Sequence, residues 1–115
     1  MKWIVLTVLL TAPFFAQAQE VDCGKSSSGA RLTIHGMKSA TLTLHNGQTF
    51  ELPFEGPSTE FDREFSEQFK IYDFVKEMEN DNSNYVTYNS TAQQAFAVLE
   101  HEDVENDEFL FKICK

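Results

Sequence analysis

Basic side chains are scarce in this chain, and cysteine, proline and glycine scarcer still. Nine lysines and arginines stand against 18 aspartates and glutamates, a net charge of −9. Such a chain is repelled by nucleic-acid backbones and anionic membrane surfaces, which excludes both as default partners. There are only two cysteines and no C-x-x-C, which speaks against a redox pair. With five glycines and three prolines the chain holds no glycine-rich phosphate loop and no flexible linker. The G-x-S-x-G nucleophile signature and internal repeats are also missing. At 115 residues the chain is limited to one ordinary domain.

The one long apolar run lies at the start. Met1 and Lys2 form a short positive region, Trp3 to Leu10 an apolar stretch extended by Ala12 to Phe15, and Ala16-Gln17-Ala18 a small-x-small cleavage pattern. The run is too short for the roughly 20 residues that span a bilayer. Residues 1–18 therefore read as a signal peptide and residues 19–115 as a single small β-rich domain, secreted or periplasmic. Loss of Lys2 leaves eight basic against 18 acidic residues, a net −10. The remaining chain is close to the size at which a hydrophobic core alone becomes marginal.

Cys23 and Cys114 stand near the two ends of that domain, in a chain read as exported, where oxidation is permitted. Only one intramolecular pairing exists. Closing 91 residues restricts the unfolded chain by about 4.5 kcal/mol in the loop-entropy model.

Hydrophobic alternation is clearest from Ala30 to Phe54. Leu32 and Ile34, then Ala40, Leu42 and Leu44, then Phe50, Leu52 and Phe54 alternate with polar residues, giving three strands with one wet face. Pairing Ile34 with Ala40 and Leu32 with Leu42 around Gly36-Met37-Lys38 keeps the apolar sets together. Asn46-Gly47 invites a two-residue turn, but parity forbids it, since Leu42 would then face Glu51. A three-residue loop, His45-Asn46-Gly47 with Gly47 left-handed, sets Leu42 against Phe50 instead. Farther on, Phe61, Phe65, Phe69, Tyr72, Val75 and Met78 recur at helical spacing, and Thr59 with Asp62 fits a capping box, so a helix is expected over about 59–79. Tyr85 to Asn89 and Gln94 to His101 read as strands around Ser90-Thr91-Ala92. The final strand, Glu108 to Cys114, turns Phe109, Phe111 and Ile113 inward and returns Cys114 to Cys23. The expected fold is mostly β, a small antiparallel sheet or barrel closed by the Cys23–Cys114 disulfide, with one helix.

Candidate sites are few. His35, His45 and His101 are the only histidines, and a hydrolase would use His35 or His101 with a neighbouring carboxylate. The acidic runs Asn80–Asn84 and Asp103–Glu108 carry hard oxygen ligands but fail the helix-loop-helix calcium spacing, so no metal and no cofactor is expected. Asn89-Ser90-Thr91 is a glycosylation acceptor if the source is eukaryotic. Tyr85 and Tyr88 have opposite parity on one strand, so at least one points outward as a binding anchor. The turns containing Ser28 and Gly29, and Asn46 and Gly47, are further partner-binding candidates.

With an export leader, a cysteine near the mature start, several short strands, a cysteine in the last strand, and Ser28-Gly29-Ala30-Arg31, the layout resembles the small periplasmic inhibitors of c-type lysozyme. In that family a disulfide-tied β-barrel presents a Ser-Gly-x-x-Tyr loop to the enzyme's cleft; Leu32 stands here at the Tyr position. The layout is also similar to small secreted fungal effectors that start aromatic-x-Cys, with Val21 at the aromatic position. The resemblance implies a monomeric, non-catalytic module that recognises another protein, a basic one by charge, as an enzyme inhibitor. A small secreted hydrolase and a structural envelope protein are the alternatives.

Overall fold

The structure, a computed structural model, describes residues 20–78, 82–101 and 104–115; the leader read at 1–18 lies outside them. Eight strands follow in chain order: β1 (Glu20–Lys25), β2 (Arg31–His35), β3 (Ser39–Thr43), β4 (Thr49–Pro57), β5 (Ile71–Glu77), β6 (Ser83–Asn89), β7 (Gln94–Leu99) and β8 (Asp107–Phe111). One helix, α1 (Arg63–Phe69), lies between β4 and β5. Each strand pairs antiparallel with the next, so the order in the sheet is the order in the chain. A meander of this kind closes with local connections alone. Alternate connections share an end. The loops β1–β2, β3–β4, β5–β6 and β7–β8 form the lower end, and the β2–β3, β4–β5 and β6–β7 connections form the upper.

Two seams turn the sheet into a nearly closed barrel. At the first, β4 pairs with β3 through Thr49–Pro53 and with β5 through Phe54–Pro57, bending at a bulge beside Gly56, whose φ of 139° disfavours any side chain. At the second, Asp22 and Lys115 exchange both backbone hydrogen bonds at 2.9 Å. The Cys23–Cys114 disulfide ties the same seam. β1 is thereby joined to the end of the chain at one backbone pair and one disulfide.

The register follows the alternation of the sequence. Leu32 faces Leu42, Ile34 faces Ala40, Leu42 faces Phe50 and Ala40 faces Leu52. These residues, with Phe74, Val86, Tyr88, Ala97, Leu99 and Phe111, fill the lumen. The β3–β4 turn is the three-residue loop that parity requires: Leu44 N–H donates to the Gln48 carbonyl at 2.8 Å, and Gly47 sits at φ 92°.

Three expectations need correction. The helix occupies only Arg63–Phe69, not 59–79. Lys70 takes the left-handed conformation at φ 54° and reverses the chain, after which Ile71–Glu77 is paired on both sides, with seven partners on β6 and three on β4. The capping box does not form either. Thr59 turns its backbone N–H and hydroxyl to Asp73 Oδ2, at 3.1 and 3.4 Å, and Asp62 makes no side-chain cap bond. Ile113, expected inward, is 61% exposed. The β8 ladder stops at Phe111, the Cys114 N–H is taken by the Gln93 carbonyl at 2.8 Å, and strand parity ends there.

The seam yields the first prediction. Replacing both cysteines with alanine lowers stability by about 2–4 kcal/mol in urea denaturation, and coincident unfolding curves for the two proteins would contradict it.

Candidate functional site

The lower end brings together the two candidate turns. Gly29, at φ 88° in the β1–β2 loop, lies so close to the β3–β4 turn that an added Cβ would come within 3.3 Å of the His45 Cβ. Ser28 accepts or donates at 3.1 Å with Ser26, which anchors the loop by taking the Ala30 N–H on its hydroxyl at 3.2 Å. Asn46 Oδ1 accepts the Gln48 N–H at 2.9 Å, fixing the turn. Ser28, Asn46 and Gly47 are exposed, so the four residues form one small polar rim.

Tyr85 and Tyr88 are separated, as their parity requires. Tyr88 is 9% exposed and belongs to the lumen. Tyr85 stands on the outer face, paired with Val75 on β5 and Val98 on β7. Partial burial raises the pKa of its hydroxyl, and the charges of Glu60, Glu100, Glu108 and Asp73 raise it further. Tyr85 is thus a half-buried aromatic residue on which four carboxylates, far apart in the chain, act through their charge.

The phenylalanines at helical spacing are turned outward. Phe61, Phe65 and Phe69 remain 46, 43 and 36% exposed. They stack on one another, with ring centroids 5.3 and 4.7 Å apart. What α1 buries is Ser66, whose hydroxyl donates to the Ser58 carbonyl at 2.8 Å. The four-residue spacing was the available signal; only a longer helix lying on the core would have hidden that stripe. Glu60, Asp62, Glu64 and Glu67 flank it, all exposed, with Arg63 paired to Glu67 at 3.2 Å.

Both candidate histidines do meet carboxylates. His101 Nε2 is 2.8 Å from Asp107 Oδ2. His35 Nδ1 is 2.8 Å from Glu20 Oε2, and its Nε2 is 2.8 Å from the Thr41 hydroxyl. That hydroxyl in turn donates to Glu51 Oε1 at 2.6 Å, while Ser39 donates to Glu51 Oε2 at 2.9 Å. A polar chain therefore crosses β1, β2, β3 and β4 on their outer face. The Thr41 hydrogen bond holds the Glu51 carboxyl below its usual pKa against a smaller opposing effect of burial, aided by Ser39 and the charge of His35. Because the one hydroxyl hydrogen of Thr41 is directed at Glu51, it is not available to His35.

Asn89 is used within the β6–β7 turn, its Oδ1 accepting the Ala92 N–H at 2.9 Å. Residues 79–81 and 102–103 of the acidic loops fall outside the described residues; among those described, no group of three His, Cys, Asp or Glu side chains is placed to hold a metal ion. No described helix is long and apolar enough to cross a membrane. The chain matches no family model, no curated protein and no solved structure.

A carboxyl with a depressed pKa in the fold stabilises it above the ordinary carboxylate range, and that contribution is lost as pH falls through the depressed value. Glu51→Gln therefore lowers the unfolding midpoint slightly at neutral pH, by under about 1 kcal/mol at so exposed a site. The difference from wild type closes in acid. A gap that widens as pH falls would show that another group governs it.

Proposed function

We propose that the protein is an exported, monomeric, non-catalytic module that binds a basic protein, with enzyme inhibition as its effect. The observation that carries this reading is the stacked stripe Phe61, Phe65 and Phe69, left about two-fifths exposed on a short helix and bordered by Glu60, Asp62, Glu64 and Glu67. Exposed, contiguous aromatic surface is costly to a chain that stays alone and typical of an interface centre, where aromatic anchors are enclosed by a polar rim. Glu60 acts through its charge on Tyr85 as well, and the proposed surface includes that ring on the barrel wall.

The mechanism divides between charge and anchor. A chain of net charge −9 attracts a basic partner from a distance, which raises the association rate. Burial of the phenylalanine edges then sets the dissociation rate. A c-type lysozyme, basic and implied by the layout of the chain, is the defined partner on which to test both parts.

The hydrolase alternative draws on His35 beside Glu20 and His101 beside Asp107, each histidine 2.8 Å from a carboxylate. His35→Ala and His101→Ala separate the two readings, because one of them would abolish hydrolysis while both leave binding at the phenylalanine stripe intact.

Surface plasmon resonance with immobilised lysozyme should show association that slows as salt rises. Phe65→Ala combined with Tyr85→Ala should weaken affinity at least tenfold, mostly through faster dissociation. Absence of lysozyme binding overturns the inhibitor reading, and equal affinity of the double variant overturns the assignment of the surface.

A further inference from the structure

A second feature lies at the upper end of the barrel, the end that also carries α1, and its lining includes none of the three stripe phenylalanines. A cavity of about 720 Å³ opens there. Val21 on β1 and Ile34 on β2 form one wall, and Tyr72 and Phe74 on β5 with Tyr88 on β6 form the wall across the lumen. In an eight-stranded barrel these strands face each other, so the cavity is the mouth of the lumen and not a surface crease. Its volume falls in the range of small-molecule sites, which favour barrel mouths and combine apolar walls with a few placed polar groups.

The rim has a different chemistry from the rest of the molecule. Lys38, in the β2–β3 turn, and Lys70, at the end of α1, both line the cavity. Two cations at one opening are a local inversion in a chain with twice as many acids as bases. Both are held there through the backbone. The Lys38 carbonyl accepts the Phe54 N–H at 2.9 Å, and the Lys70 carbonyl accepts from the Ser90 N–H and hydroxyl at 3.1 and 2.8 Å. Among the described residues neither ammonium joins an ion pair, and the nearby Glu20 is engaged by His35. Met37, between the turn's Gly36 and Lys38, leaves an apolar side chain 64% exposed at the lip.

The walls offer a second kind of polar group. The Tyr72 and Tyr88 hydroxyls have no hydrogen-bond partner among the described residues, and the two rings belong to the cavity lining. No buried side-chain oxygen or nitrogen among those residues is left unpaired, which requires the Tyr88 hydroxyl to reach open space, and the cavity supplies it.

We infer that the upper mouth of the barrel binds a small amphipathic anion, its apolar tail lying against Val21, Met37 and Tyr72 and its carboxylate held at the rim by Lys38 and Lys70. A medium-chain fatty acid has this chemistry. Burial of the tail supplies affinity and the two lysines select charge, since an ammonium or an alcohol head would meet either repulsion or no counter-charge.

The probe is laurate, titrated into the oxidised protein below its micellar concentration, with dodecanol and dodecyltrimethylammonium as matched heads. Calorimetry should show one laurate per chain, bound at least tenfold more tightly than either control, and the chain methylenes should give nuclear Overhauser contacts to the Val21 methyls and the Tyr72 ring. Lys38→Glu with Lys70→Glu alters only exposed side chains; it should weaken laurate at least tenfold and leave dodecanol unchanged. Lack of saturable binding, equal affinity for the three heads, insensitivity to the double charge reversal, or contacts to Phe61, Phe65 and Phe69 instead of Val21 and Tyr72 would each overturn the inference.

Discussion

The fold depends on one seam. A meander of eight strands pairs every neighbour locally except its first and last, and those two meet only where Asp22 and Lys115 exchange backbone hydrogen bonds beside the Cys23–Cys114 disulfide. Without that join the sheet has two open edges and a lumen exposed along one side. A domain this small cannot offset such exposure by adding core elsewhere, so the covalent tie substitutes for core volume. The Cys114 amide bond to Gln93 fixes the tail against the β6–β7 turn, and in doing so it ends the strand and directs Cys114 rather than Ile113 inward.

Closure also separates the surfaces by chemistry. The lumen takes the alternating apolar residues, and its upper mouth keeps open space between opposite walls. The outer face of β1 to β4 is tied by Glu20, His35, Thr41 and Glu51 into a continuous polar chain. The outer face of β5 to β8 is different, with Tyr85 acted on by the charge of four carboxylates, and α1 presents exposed phenylalanines. Protein recognition and small-anion binding would thus use two surfaces of different chemistry, one acidic and aromatic, the other locally basic and concave, which meet where Phe69 is followed by Lys70.

The strands from Ala30 to Phe54 were legible because a side-chain period of two admits only one parity at each turn. That constraint excluded the two-residue loop at Asn46-Gly47 and set Leu42 opposite Phe50. The stretch from Thr59 to Met78 was not legible in the same way. Its aromatic residues fit a helical period through Phe69 and a strand pairing from Ile71 onward, and local spacing holds no record of the β6 partners that decide between them. The same limit hid the site. Phe61, Phe65 and Phe69 have the spacing of one helix face, and the face that α1 buries is instead the one that carries Ser66.

The sequence by itself determined the class of the fold, the identity of the disulfide, the register of the first hairpins and the opposite faces of Tyr85 and Tyr88. Each of these rests on alternation, on parity or on the number of partners available, which are properties of neighbouring positions. Tertiary structure alone decided the length of α1, the outward turn of its phenylalanines, the four carboxylates whose charge acts on Tyr85 and the pairing of Lys38 with Lys70 at one mouth. Those juxtapositions join residues far apart in the chain, and only closure of the barrel brings them within reach of one another.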